Sequence, residues 1–306
     1  MSLRDIKTKI RSVDRTRKVT KAMETVSAVK MRKAQQRALS GRPYARAALA
    51  ILERLSPSLA TISHPLTKVR PVHRAALVVV TSDKGLCGVL NAAVLKEAQR
   101  IIAEHSTLTT ADWDVYAFGR KAAEYFGRRG YALQSKFENV SDDIALENLE
   151  TVSADVTARF ESGLVDQVLV VFTNFKSTFE QEAVSHTLLP LSVEQFGEIV
   201  TAITPTKGLL SVVQPAEAPA FYTVEPTAEA VLGALLPRLA SVFVYHMLLE
   251  SKASEHSARM VAMKNASDKS RDLSKALTRV FNKTRQAVIT REVSEIVGGI
   301  EAMAIR

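Results

Sequence analysis

The stretch Ser82-Asp83-Lys84-Gly85-Leu86-Cys87-Gly88 is the part of the sequence that most invites chemistry. It follows the β-branched run Arg74–Thr81 (RAALVVVT), the position where a nucleotide-binding fold carries its phosphate loop. Such a loop needs glycines that let backbone N–H groups approach the phosphates and a lysine placed after them. Here the lysine precedes both glycines, and neither GxGxxG nor GxxxxGK[ST] is present. A tight strand-to-helix turn is the simpler reading. Cys87, the one cysteine, would need a base to act as a nucleophile. His64, His73, His105, His186, His246 and His256 stand at no spacing that supplies one. His246 and His256 fall roughly on one face of a predicted helix, without a third metal ligand. Asp142–Asp143 and Glu292–Glu295 read as loop and helix-surface charges. The expectation is therefore no catalytic, cofactor or metal site in this chain.

The elements around that stretch suggest a mechanical part. Residues 1–40 contain no Gly or Pro, and Leu3, Ile6, Ile10 and Val13 draw a stripe at 3-4-3 spacing. The stripe then shifts to Val19, Ala22, Met23 and Val26, because Arg17 and Thr20 occupy places where strict heptads want apolar residues. Such a shift predicts a locally unwound coiled coil. Gly41 and Pro43 interrupt briefly, Tyr44–Leu55 resumes as helix, and Pro57 and Pro65 close the segment. Residues 2–40 alone give a rod of about 60 Å. From Arg238 to Val297, 60 residues run without Gly or Pro, a helix of about 90 Å. Val293, Ile296, Ile300 and Met303 repeat the 3-4-3 stripe, and Gly298 and Gly299 loosen the end.

Helices this long rarely stand alone in a domain of ordinary size. The expectation is an antiparallel coiled coil of the two termini, 1–58 with 226–306, and an inserted Rossmann-like α/β domain, 70–225, of mostly parallel sheet. Its predicted strands are Arg74–Thr81, Trp113–Phe118, Gln167–Phe172 and His186–Leu191. Its predicted helices are Asn91–Glu104, Arg120–Phe126 and Ile144–Ser162, the last capped by Gly163. Residues 192–224 carry Pro205, Pro215 and Pro219 and read as an extended insertion.

Charge narrows the classes of partner. The chain of 306 residues has a net charge of +9, and residues 1–48 alone carry 14 Lys and Arg against Asp5, Asp14 and Glu24. The body is thus near neutral and the arm basic, which suits nucleic acid, an anionic membrane surface or an acidic protein surface. Residues 1–43 contain no aromatic side chain, so the arm offers no platform for base stacking. A basic coiled coil that binds nucleic acid or anionic membrane stays open as the alternative reading. A small-molecule enzyme in the α/β domain is a second. No unbroken run of about 18 apolar residues occurs, so no helix is expected to span a bilayer. The first residues carry no apolar signal core, and a mature start is expected.

Several blocks are more specific. Ile10-Arg-Ser-Val-Asp-Arg-Thr-Arg-Lys-Val-Thr-Lys-Ala-Met23-Glu and Ser27-Ala-Val-Lys-Met-Arg-Lys-Ala-Gln35 resemble the N-terminal helix of the γ subunits of F-type rotary ATP synthases. Ser82–Asn91 is similar to that family too, as are Ser254-Glu-His-Ser-Ala-Arg259-Met-Val-Ala-Met-Lys264 and the run from Asn282 to Gly298. The resemblance covers nearly the whole chain in the family's order, most weakly across 92–165 and 192–224.

The resemblance implies a central rotor shaft without catalytic groups of its own. It implies partners: a hexamer of α and β subunits around the helices, the ε subunit, and a proton- or sodium-driven c-ring beneath. Nucleic acid and direct membrane insertion are not among them. It implies a peripheral place on the cytoplasmic face of a bacterial inner membrane. By position in the matching blocks, Lys18, Lys21, Met23 and Lys30 should lie near the lever of the β subunit, and Arg259, Gln286, Thr290 and Glu292 near its catch loop. Val293, Ile296, Val297 and Ile300 should ride in an apolar sleeve. Plain coiled-coil packing stays open for Met23, Val293 and Ile296, and plain helix surface for Arg259 and Gln286. The 192–224 stretch holds no cysteine, so a dithiol switch of the kind found in plastid relatives is excluded.

Overall fold

The computed structural model describes residues 2–59, 64–141, 147–192 and 225–304. The predicted insertion at 192–224, the paired Asp142–Asp143 and the start of the predicted helix at Ile144 therefore lie almost wholly outside the described residues. The chain divides into two compact units, one made of Met1–Ser27 with Met260–Arg306 and the other of Ala28–Arg259.

The larger unit is built on a five-stranded sheet. Its strands are β1 (Ala75–Val80), β2 (Trp113–Phe118), β3 (Ala132–Phe137), β4 (Gln167–Phe175) and β5 (Gln181–Leu189). The spatial order is β3-β2-β1-β4-β5. The first four strands are parallel and β5 is antiparallel to β4. The helices α2 (Leu90–Glu104) and α3 (Arg120–Gly127) cover one face; α4 (Glu147–Glu161) and the first part of α5 (Ala228–Ala304) cover the other. β1 is buried throughout because it is the central strand of a sheet covered on both faces. Ala75, Leu77 and Val79 point toward Val94, Ala98 and Phe126; Ala76, Val78 and Val80 point toward Phe160, Leu239 and Phe243.

Four expectations change here. β3 was not anticipated: its residues ALQSKF are only partly buried, because it is an edge strand and lacks a clean apolar pattern. β5 begins at Gln181, before the predicted His186, and extends a hairpin with β4. α1 (Leu3–Leu59) runs unbroken through Gly41, Pro43 and Pro57. A proline removes one backbone donor, and the helix-forming residues around it carry the helix through that loss. α5 starts ten residues before the predicted Arg238 and continues through Gly233, Pro237, Gly298 and Gly299 to Ala304.

A stretch of α5 has a mean hydropathy of 1.6 over 18 residues, long and apolar enough to cross a membrane by length and composition, contrary to the expectation from unbroken apolar runs. Isolated polar residues hid it from that criterion. It is 61% buried, and Leu232, Leu236, Leu239, Phe243 and Met247 belong to the core beneath the sheet. It is thus a core helix of the α/β unit.

The smaller unit is the antiparallel pairing of the first part of α1, to Ser27, with α5 from Met260 onward. α1 opens on a reciprocal cap: Ser2 N–H donates to Asp5 Oδ2 at 3.0 Å and Asp5 N–H to Ser2 Oγ at 3.2 Å. This hydrogen bonding holds the Asp5 carboxyl below its usual range. Between Leu3 and Ser27 the positions of α1 turned away from solvent are Leu3, Ile6, Ile10, Val13, Arg17, Thr20, Glu24 and Ser27, an unshifted heptad, joined by Asp14 and Met23. The predicted shift of the stripe does not occur. Thr20 is buried and donates to Thr16 O and Arg17 O, so its hydroxyl is satisfied within its own helix. Val19 and Val26 are left 58% and 56% exposed.

The partner face of α5 shows the same spacing. Beyond Lys269, only Ser270, Ser274, Leu277, Phe281, Thr284 and Val288 are partly covered among the described side chains. Ser274 Oγ donates to Asp14 Oδ1 across the seam at 3.0 Å.

Candidate functional site

In an open α/β sheet, ligands sit beyond the carboxyl ends of the strands, where the strand order reverses. Here that point lies between β1 and β4. Beside it, at the carboxyl ends of β1 and β2, the chain closes the edge with its own groups. Thr81 Oγ1 accepts from Ala122 N–H at 2.9 Å, Ser82 O from Lys121 N–H at 3.3 Å, and Asp83 Oδ1 from Arg120 N–H at 3.0 Å. Three donors at the start of α3, which could otherwise hold an anion, are thereby taken. Gly119 makes this close approach possible: its φ is +89°, and a Cβ there would stand 2.2 Å from Thr81 O.

The Ser82–Gly88 turn is closed in the same way. Ser82 Oγ donates to Lys84 O at 2.6 Å, and Ser82 N–H donates to Asn91 Oδ1 at 3.0 Å. Asn91 Nδ2 donates to Ser82 Oγ at 2.8 Å and to Cys87 Sγ at 3.3 Å. Cys87 is buried and packs as part of this turn. Leu86 and Gly88 both adopt positive φ, 64° and 62°.

α5 then seals the edge. Glu250 Oε2 accepts from Phe175 N–H at 3.3 Å, and Ser251 Oγ accepts from Thr173 N–H at 3.2 Å. Ser254 Oγ donates to Thr173 O at 3.3 Å, and Ser257 Oγ to Thr178 O at 2.7 Å. Arg259 Nη2 donates to Lys84 O at 3.1 Å and to Glu255 Oε1 at 2.7 Å, with Gly85 O at 3.4 Å from both Nε and Nη2. A cavity of about 10 Å³ remains between Thr81, Gly119, Ser251 and Glu255, room for about one water. No cluster of three or more His, Cys, Asp or Glu side chains able to hold a metal occurs among the described residues. The arrangement joins a helix to a sheet and leaves no space for a substrate.

The candidate residues fall into four groups. Arg259 is buried and faces inward, so its placement as exposed helix surface fails. Lys18, Lys21 and Lys30 are exposed on α1, Met23 is partly covered, and Lys21 Nζ pairs with Glu24 at 2.9 Å. Gln286, Thr290 and Glu292 are exposed on α5, with Gln286 and Thr290 one turn apart on one face.

Val293, Ile296, Val297 and Ile300 are exposed, as are Ile289 and Met303. An antiparallel register that sets residue 14 beside 274 sets Leu3 beside residue 285. α5 therefore runs on past Val288 with no residue of α1 to face. Its apolar positions 289, 293, 296, 300 and 303 are also rotated by one to two residues, about 150° on average, from the continuation of the seam at 291, 295 and 298. Packing against α1 therefore does not account for this stripe.

Sequence reasoning missed Glu255, Ser251, Ser254 and Ser257. The Ser-x-x-Ser-x-x-Ser spacing and the i,i+4 pair Glu255–Arg259 were the signals that could have found them.

The chain thus combines a paired-helix unit that carries an uncovered apolar stripe with an α/β layer whose strand ends are capped by its own groups. The family described as ATP synthase matches residues 2–303. The ATP synthase gamma chain of Heliobacterium modesticaldum is 40% identical over 301 residues, 98% of this chain and 99% of that protein. The gamma chain of Pelotomaculum thermopropionicum is 38% identical over 303 residues, 99% of each.

Among solved structures, the central stalk and c-ring of the Tetrahymena thermophila mitochondrial ATP synthase contain a chain with TM-score 0.58 and 25% identity, covering 81% of this chain and 99% of that one. The rotor of the Euglena gracilis mitochondrial enzyme gives TM-score 0.62 at 17% identity, covering 94% and 98%, a likeness of fold. The chain belongs to the ATP synthase gamma chain family, the central-stalk rotor subunits of an ATP-synthesising, membrane-associated complex.

Proposed function

We propose that this chain transmits torque between a proton- or sodium-driven c-ring and the catalytic β subunits of its complex. The helices of residues 1–58 and 226–306 serve as the shaft inside an α/β hexamer, the first half of α5 doubling as core of the α/β portion at 70–225. That portion meets the ε subunit and the c-ring. The chain supplies no catalytic group, and it works at the cytoplasmic face of the bacterial inner membrane without inserting into it. Lys18, Lys21, Met23 and Lys30 face the β lever, where a basic surface suits acidic loops. Gln286, Thr290 and Glu292 face the catch loop. Val293, Ile296, Val297 and Ile300 turn in an apolar sleeve.

One observation carries this reading. α5 is a single helix of 77 residues, locked onto the sheet and its loops by residues 250–259 and, among the described side chains, exposed throughout beyond Val288. A helix fixed at one place and exposed at another suits the transfer of rotation and has no use in binding a small substrate.

Co-expression with the α and β subunits of its source tests it. One copy per three αβ pairs at moderate salt, with ATP hydrolysis that depends on the chain, is expected. Absence of a complex, combined with polyanion affinity that falls linearly in log salt, would establish the nucleic-acid or anionic-membrane reading instead.

A further inference from the structure

Arg259 is 8% exposed, and its guanidinium is spent within the chain. Nη2 reaches Lys84 O at 3.1 Å and Glu255 Oε1 at 2.7 Å, and Nε reaches Gly85 O at 3.4 Å. The β1–α2 loop is tied at its two ends by other groups, Asp83 to Arg120 N–H and Asn91 to Ser82. Its middle, where Leu86 takes a positive φ, holds out Leu86 at 61% and Val89 at 80% exposure. The planar, permanently charged fork of a guanidinium is pre-organised to grip two successive carbonyls and a carboxylate at once, where a lysine ammonium offers only a compact, rotatable point charge.

We infer that Arg259, oriented by Glu255, is a positioning residue that locks the middle of loop 82–91 onto α5, so that loop and helix move as one body. Its effect on energy coupling runs through the loop and not through direct contact with a partner. The link to coupling rests on the rotor reading; the lock itself does not.

Hydrogen exchange of the peptide spanning 82–91, in the full chain and in the assembled complex, is the experiment. Arg259→Ala is expected to speed exchange there about tenfold. Arg259→Lys, which keeps the charge but loses the fork, falls between, and Glu255→Gln gives a smaller rise. Ser257→Ala removes a neighbouring α5 contact to Thr178 O and should leave this loop unchanged. In the complex, Arg259→Ala should lower the ions moved per ATP hydrolysed while hydrolysis persists, with partial recovery in Arg259→Lys.

Three results would overturn the proposal: unchanged exchange at 82–91 in Arg259→Ala, equal loosening in Ser257→Ala, or lost coupling with a loop as protected as before. If the wild-type chain itself assembles with no α or β subunit, the rotor reading fails while the exchange result still decides the lock.

Discussion

The two halves of α5 obey different rules. Between Leu232 and Arg259 almost every face is covered, first by apolar side chains and then by serines and charged groups whose partners include backbone atoms of β4 and of the loops beside it. Beyond Met263 only a narrow seam is covered among the described side chains, lined first by small polar residues such as Ser267, Ser270 and Ser274 and then by Leu277, Phe281 and Val288. The first half spends its polar groups on immobility. The second keeps a thin contact with α1 and leaves its outer faces free. A rotor needs both, a fixed grip and a surface that does not adhere at one angle. Exposed charges, screened by salt and worth little as single pairs, suit such a surface.

The contrast yields measurable differences, the largest at the sheet edge. Gly119→Ala forces a Cβ against Thr81 O at a positive φ, and should cost about 3 kcal/mol of unfolding free energy in denaturant titration. A loss below 1 kcal/mol would mean the edge yields, and would remove the rigid side of the comparison. Ser251→Ala leaves the buried Thr173 N–H without its acceptor, for about 1–3 kcal/mol. Ser270→Ala in the seam should stay within about 0.5 kcal/mol. Equal effects would erase the distinction between the halves. Thr20→Val replaces a buried hydroxyl in the seam with a methyl group, and should stabilise the helix pair by up to about 1 kcal/mol in thermal melts followed by circular dichroism. A destabilisation would mean that the polar seam is held by more than its backbone-directed hydrogen bonds.

The smallest effect is that of pH. Arg100 holds the Glu97 carboxyl below its usual range, helped by the Ser185 hydroxyl on β5, so α2 is pinned to β5 in the ionised form. That contribution is complete above the ordinary glutamate value of 4.5 and fades as pH falls through the lowered one. Melting temperatures of wild type and Glu97→Gln should differ at pH 6 and converge toward pH 3. Curves that stay parallel would show that the pair adds nothing.

Much of this was legible in the sequence. The buried strands β1, β2 and β4, the long terminal helices and the family-specific blocks carry strong local signals: β-branched runs, the lack of Gly and Pro, and long ordered motifs. β3 was lost because an edge strand need not alternate. The direction of β5 was lost because periodicity does not encode strand polarity. The seam was misread at Arg17 and Thr20 because a threonine that bonds its own helix can be buried at little cost, which a hydrophobicity pattern does not register. Arg259 was placed on the right helix, but its inward direction depends on where the β1–α2 loop comes to rest, a long-range fact. Ser251, Ser254 and Ser257 look like surface serines until β4 supplies their partners.

α5 outruns α1 by residues 289–304, about 24 Å of single helix. An isolated helix of that length is marginal in water, and this one displays Ile289, Val293, Ile296, Ile300 and Met303 to solvent. Its helicity in the free chain is therefore at the edge of what the backbone alone sustains, and burial of the stripe would complete it. This terminus resembles a key whose last teeth harden only in the lock: part of its folding free energy is held by whatever encloses it. Truncation after Val288 should remove less ellipticity from the free chain than sixteen helical residues contribute, and the full amount once the complex has formed.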